Sequence, residues 1–138
     1  MQISFQTAET GGTTLLLVTS PVPTVDQEPI VQRLLSLREL SAGAVAFLLP
    51  STQGAAVRVE QVGTEVGAEA LLCAAMWFAV RRGLRKERRF LIETPQGIRT
   101  VHANPLTGVV SAQVTERRTA HSIVRQTVSL GPAYDLSF

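Results

Sequence analysis

Two hydrophobic rhythms alternate along this chain. Residues 1–9, "MQISFQTAE", set Ile3, Phe5 and Thr7 against polar neighbours with the period of two that marks a half-buried strand. Gly11-Gly12 is a turn. "TTLLLVTS" (13–20) is apolar in the middle and β-branched at its ends, the pattern of a buried strand. "PVPTV" breaks it. Asp26 is placed to cap a helix over 27–40, "QEPIVQRLLSLREL", whose Ile30, Val31, Leu34, Leu35 and Leu37 share a face, and "SAG" ends it. "AVAFLLP" (44–50) is a strand stopped by Pro50, "STQG" a turn, and "AAVRVEQV" (55–62) another strand.

The rhythm then changes. "EVGAEALLCAAMWFAVRRG" (65–83) reads as a helix entered through Gly67 and Ala68 and left through Gly83. It has almost no polar face, and a helix apolar all round must be buried all round. The economical cover is a strongly curved mixed sheet, a half-barrel wrapped around it. Gly67, Ala68, Ala70, Ala74, Ala75 and Ala79 are small enough to let strands approach closely. Beyond it, the turns "TPQG" and "NPLTG" separate strands expected at 89–94, 97–103, 108–116 and 122–130. The tail "GPAYDLSF" (131–138) is expected to be loosely ordered or docked. There is no linker or repeat, so residues 1–138 form one α+β domain.

Composition narrows the function classes. With 45% hydrophobic and 17% charged residues the chain can bury a real core. Aromatics are 5% and net charge only +2, so a base-stacking nucleic-acid surface is not indicated. The longest apolar run, Ala68–Val80, holds Glu69 and is too short for a membrane span. No leader pattern precedes residue 18, and a cytoplasmic location is the expectation. The lone Cys73 forms no intrachain disulfide and sits where a thiol acts as a small buried hydrophobe.

Four segments in order resemble the N-terminal half of the diaminopimelate-epimerase-like superfamily, which also holds phenazine-biosynthesis isomerases and proline racemases. "GGTTLLLVTS" is similar to its glycine-rich turn, Asn and strand. "SLRELSAGAVAFLLPS" is similar to its Arg-containing helix end and Gly-Ala-Asp-Gly strand. "VEQVGTEVGAEALLCAAMWFAVRRG" is similar to its Asp-Gly-Ser-Glu segment, catalytic Cys-Gly-Asn-Gly and central helix. "FLIETPQGIRTV" is similar to its Thr-x-x-Gly hairpin. Together these cover residues 1–114. The resemblance implies a sheet curled around a central helix.

The departures carry the functional expectation. Aligned without gaps through Cys73, the catalytic cysteine position falls on Gly67, and Gly-Asn-Gly becomes Ala68-Glu69-Ala70. The helix Arg becomes Leu72, the substrate-binding Asn becomes Thr13, the strand Asp becomes Val45, and the Asn before Asp-Gly-Ser falls near Arg58. A racemase of that type needs a thiol on each face of the stereocentre. One misplaced Cys excludes that mechanism. In the resembled family two halves pack around the active site, so a lone half is expected to pair with a copy of itself as a homodimer.

The best candidate site is the helix start. Its first N–H groups lack helical partners and carry the positive end of the dipole. Gly67, Ala68 and Ala70 leave room for an anion, and Thr64, Thr13 and Thr14 can add hydroxyls. A small carboxylate, phosphate or nucleotide suits it. Glu69 in the first turn opposes an anion and competes for the same field. Glu65 and Glu69, about one turn apart, are the acid/base alternative, and a third reading is a protein-interaction module. Arg81, Arg82, Arg85, Lys86, Arg88 and Arg89 follow the helix end, where cations complement the negative dipole. As a patch they could meet phosphate, but no Walker loop accompanies them. Arg117 and Arg118 form a second basic pair. His102 and His121 stand alone, with no ligand-spaced neighbour for a metal. Ser122 points away from His121 if both lie in one strand. No cofactor is implied.

Overall fold

The structure, a computed structural model, describes residues 1–116 and 120–138, and side chains outside 114–122. Its strands are β1 (Gln2–Thr10), β2 (Thr13–Val18), β3 (Ala44–Leu49), β4 (Val57–Glu60), β5 (Arg88–Thr94), β6 (Gly97–Asn104), β7 (Val109–Glu116) and β8 (Ala120–Ser137). Its helices are α1 (Gln27–Leu35) and α2 (Ala68–Arg81). The sheet is mixed. β2 pairs β3 in parallel and β4 pairs β5 in parallel, and the other neighbours are antiparallel. The parallel pairs are those joined by the helical crossovers, since parallel neighbours need a long connection.

The expected half-barrel is corrected in one respect: among the described residues the sheet closes, in the order β1 to β8, into a barrel. Closure is the work of β8, which pairs β7 over 120–127 and β1 over 128–137. The tail expected to be loose or docked is the second half of this strand. Its register shifts where Gln6 pairs Ala133 and Ala8 pairs Leu130, leaving Gly131-Pro132 as the extra residues. The bulge turns the strand over. Before it, Val128 and Leu130 pack in the barrel interior; after it, Leu136 packs outside.

α2 touches all eight strands. Ala70 to Met76 and Ala79 are buried, while Trp77 and Phe78 are half-buried and Val80 is exposed as the helix leaves. The interior cluster joins these residues to Leu15, Leu17, Ala46, Leu48, Val59, Ile92, Val101 and Val110. A second cluster lies outside the barrel, where α1 places Ile30 and Leu34 against Leu16, Val18, Val45 and Phe47. β2 and β3 therefore have an apolar partner on each face, α2 within and α1 without. This is why "TTLLLV" and "AVAFLL" are continuous apolar runs rather than alternating ones.

Three boundaries differ from expectation. α1 stops at Leu35, not residue 40, because the Ser36 hydroxyl bonds back to the Arg33 carbonyl and tight three-residue turns follow. Asp26 precedes α1 but makes no side-chain cap. A short 3-10 turn over Thr24–Asp26 holds it near the helical region, so its carboxylate is not over the first N–H groups. β4 is limited to Val57–Glu60. Among the described residues no helix is long and apolar enough to cross a membrane.

Candidate functional site

The entry to α2 borders a cavity of about 390 Å³ lined by Thr64, Glu65, Gly67, Ala68, Gln96 and Arg99, with Leu71 and Val124 as its apolar wall. Gly67 is the residue before the helix, in an ordinary extended conformation, and no side chain caps the helix. The Gly67 N–H donates to Gln61 Oε1 at 2.8 Å and the Val66 N–H to Gln96 Oε1 at 3.3 Å. The first helical bond is Leu71 N–H to the Gly67 carbonyl. The N–H groups of Ala68, Glu69 and Ala70 therefore have no helical acceptor. A Cβ added at Gly67 would meet Glu69 Oε2 at 3.5 Å and Gln61 Oε1 at 3.7 Å, so the Glu69 carboxylate folds back toward the helix start.

Of the residues expected at this site, Thr64, Gly67 and Ala68 line the cavity, and Glu65 joins them. Ala70 is buried and offers only its backbone. Thr13 and Thr14 are not among the lining residues. They start β2, paired with Thr10 and Glu9, and the Thr13 methyl faces Gly43. Arg99 and Gln96 were not expected. They come from the "TPQG" hairpin, whose tight turn is set by the Thr94 hydroxyl bonding the Gly97 carbonyl and the Gln96 N–H. An arginine beside a turn looks like ordinary solvated surface in sequence. Only the folding of β5 and β6 beside α2 brings it to the helix start.

A second polar cluster went unread. Arg58 on β4 lies between two carboxylates, donating Nε to Glu60 Oε2 at 2.8 Å and NH1 to Glu93 Oε2. Glu60 also accepts from Thr24 (2.7 Å) and Gln27 (2.9 Å). Glu93 accepts from the Ser51 hydroxyl (2.7 Å), the Thr52 N–H (2.8 Å) and hydroxyl (3.0 Å), and the Gln53 N–H (3.1 Å). The Ser51 bond, with those from Arg58 and Thr52, outweighs the cost of burial and holds the Glu93 carboxyl down at about 2. Burial pushes Glu60 upward, but its bonds from Thr24, Arg58 and Gln27 win and hold it below the usual range. Both glutamates in turn raise Arg58. With its acceptors so filled, this cluster clasps β4, β5 and two loops together rather than presenting a reactive group. Its signal in sequence was a carboxylate, Glu93, inside the apolar strand "FLIET".

Cys73 is fully buried inside α2, and burial, with the charge of Glu69 adding to it, pushes the thiol up to about 12. Thiol chemistry is therefore closed to it. A disulfide-exchange reagent at mildly alkaline pH is expected to leave Cys73 unlabelled in the folded protein and to label it at once in the guanidinium-unfolded chain. Rapid labelling of the folded protein would mean that α2 is accessible.

The basic run splits. Arg81 ends α2 and Arg82 follows it, with their guanidinium groups 5.3 Å from the Trp77 ring centre and 5.4 Å from the Phe78 ring centre. Arg85 and Lys86 lie in the exposed connection, and Arg88 and Arg89 open β5. Among the described residues the only ion pairs are those of Arg58. His102 is on β6, paired with Ser111 and Arg89. The side chains of His121, Ser122, Arg117 and Arg118 lie outside the described residues. Among the described residues no three of His, Cys, Asp or Glu gather as metal ligands.

No protein-family model and no curated protein matches this sequence. Its architecture does match solved structures. A PhzF-family phenazine biosynthesis protein from Bacillus anthracis superposes with a TM-score of 0.65 at 14% identity, over 83% of this chain and 41% of that one. A predicted epimerase from Pseudomonas aeruginosa gives 0.61 at 16% identity, over 82% and 43%. A hydroxyproline epimerase from Agrobacterium vitis, with bound trans-4-hydroxy-L-proline, gives 0.58 at 15% identity, over 90% and 48%. The chain thus spans less than half the length of these proteins. One barrel closed around one helix, laid over such a fraction of each of them, gives this chain the diaminopimelate-epimerase-like fold.

Proposed function

We propose that this chain is a non-epimerase relative of an epimerase half that binds a small carboxylic acid at the start of α2. The observation that carries the reading is the uncapped helix start opening into a cavity that also holds Arg99. The helix start, where Ala68 lines the cavity, brings the positive dipole end and unbonded N–H groups beside the Arg99 guanidinium, which suits a carboxylate, while Glu69, folded back toward the same start, works against it. Glu65 on the same wall disfavours a bare multivalent anion. It favours an acid that also brings a donor, such as an ammonium or hydroxyl. The hydroxyproline held by the Agrobacterium vitis epimerase has this character, while phosphate and nucleotide remain the less fitting members of the anion class. Gly67 stands where the resembled family places a nucleophile, and Cys73 is buried, so binding without thiol racemisation is the consistent reading. A symmetric pair of such barrels is part of this reading, since two-fold dimers are the commonest oligomers.

The test combines native mass spectrometry with thermal shift. The protein is expected to run as a dimer and to gain several degrees in melting temperature with trans-4-hydroxy-L-proline. It should gain less with acetate, inorganic phosphate or AMP. Gly67→Asp places a good cap at the helix start and, with Arg99→Gln, is expected to abolish the gain while the protein stays folded. No shift with any of these probes would sink the binding site, and a monomer at micromolar concentration would sink the dimer. Chemical turnover of a bound probe would replace binding with the repurposed-enzyme reading.

A further inference from the structure

The far end of α2 frames a larger cavity, about 500 Å³, within the size range of small-molecule sites. Leu48, Val57, Trp77 and Phe78 give it apolar and aromatic walls, and Arg81 and Arg82 stand at its rim. A helix of fourteen residues separates it from the α2 entry, roughly 20 Å at 1.5 Å per residue. We infer that this cavity is a second ligand site, which takes a small aryl carboxylate with its ring between Trp77 and the aliphatic wall and its acid group on Arg81 and Arg82.

Cations at a helix end are usually explained by the dipole and by capping of the last carbonyls. Here the backbone already does the capping. The N–H groups of Arg82, Gly83 and Leu84 bond the carbonyls of Phe78, Val80 and Ala79. Among the described residues neither guanidinium bonds a helix carbonyl, and neither pairs with a carboxylate. Each instead lies over a ring of the cavity wall, Arg81 over Trp77 and Arg82 over Phe78. Phe78 is in turn fixed by Phe90, with ring centres 4.9 Å apart. That stacking holds two flexible side chains at the rim with their in-plane N–H donors unspent, which lowers the ordering cost of gripping an anion. An apolar, ring-lined floor beneath two unpaired cations is complementary to an amphiphilic anion. An inorganic ion would leave the floor unfilled, and a neutral hydrocarbon would leave the cations unmatched.

Trp77 is the only tryptophan in the chain, so its emission reports occupancy of this cavity directly. Full-length protein is titrated with 3-phenylpropionate, exciting tryptophan alone, and 3-phenylpropanol serves as the uncharged control. The expected result is a saturable change in Trp77 emission with the acid and at least about tenfold weaker binding of the alcohol. Arg81→Gln with Arg82→Gln, both exposed positions that leave the core intact, should weaken the acid about tenfold or more and leave the alcohol unchanged. Gly67→Asp should leave both unchanged, because it acts at the other end of α2. Absence of a saturable signal, equal binding of acid and alcohol, or unchanged acid binding in the double variant would each overturn the inference.

Discussion

Replacing Arg58 by Met is expected to destabilise the protein by about 3 kcal/mol at neutral pH, the lower part of the range for breaking a buried ion pair. The Arg58 side chain is 23% exposed, which softens the loss, but the side chains of Glu93 and Glu60 are only 1% and 9% exposed. Methionine fills similar volume without neutralising either carboxylate. Two negative charges are then left in a shared, poorly hydrated site. The pH dependence identifies the cause. Both glutamates are held below their ordinary value of 4.5, Glu93 at about 2. A depressed carboxyl stabilises the fold fully above its unfolded value and gives that stability up as pH falls through its folded one. The native protein should therefore lose stability between about pH 4.5 and about pH 2. In Arg58→Met the carboxyls no longer gain from ionising beside a cation, so the same acidification should cost less and the two stability curves should converge. Urea midpoints measured across that window decide it. Parallel curves would show that Arg58 acts through packing alone.

This cluster also shows where sequence reading ran out. Periodicity placed most strands and α2 closely, at 65–83 against the observed Ala68–Arg81, because small and apolar residues there answer to one burial pattern. Gly67 to Ala70 was legible as the start of the helix, and so as a candidate site, because a helix start owes its chemistry to backbone, whose position follows from the helix boundary. The place of Arg99 beside that start was not, since it depends on which strand lies beside α2, and nothing local encodes that. Arg58 and Glu93 pair across neighbouring parallel strands that are far apart in sequence, and each alone reads as a solvated charge. Barrel closure was hidden for a different reason. Gly131 and Pro132 look like a strand stop, but they form a bulge that turns β8 over and lets Leu136 pack outside while Val128 packs within. A period-two reading loses phase at such a point.

Closure has a measurable consequence at the centre of α2. Leu72 is fully buried among strands that leave no edge to move inward, so Leu72→Ala is expected to cost about 3 kcal/mol or more, transfer and unrelaxed cavity together. The opposite change is the sharper probe. Ala74 is also fully buried, and Ala74→Leu asks the barrel to admit three more carbons. An open half-sheet could splay around them. A closed ring of hydrogen-bonded strands can expand only by losing ladder bonds, so a further loss of about 2–3 kcal/mol is expected. Leu106→Ala, at a loop position 74% exposed, should stay within about 0.5 kcal/mol and serves as the control. Urea melts with unchanged slopes report all three. If Leu72→Ala is costly while Ala74→Leu is tolerated, the strands yield outward around α2. The barrel would then open under strain between β8 and β1, where the bulge already interrupts the ladder.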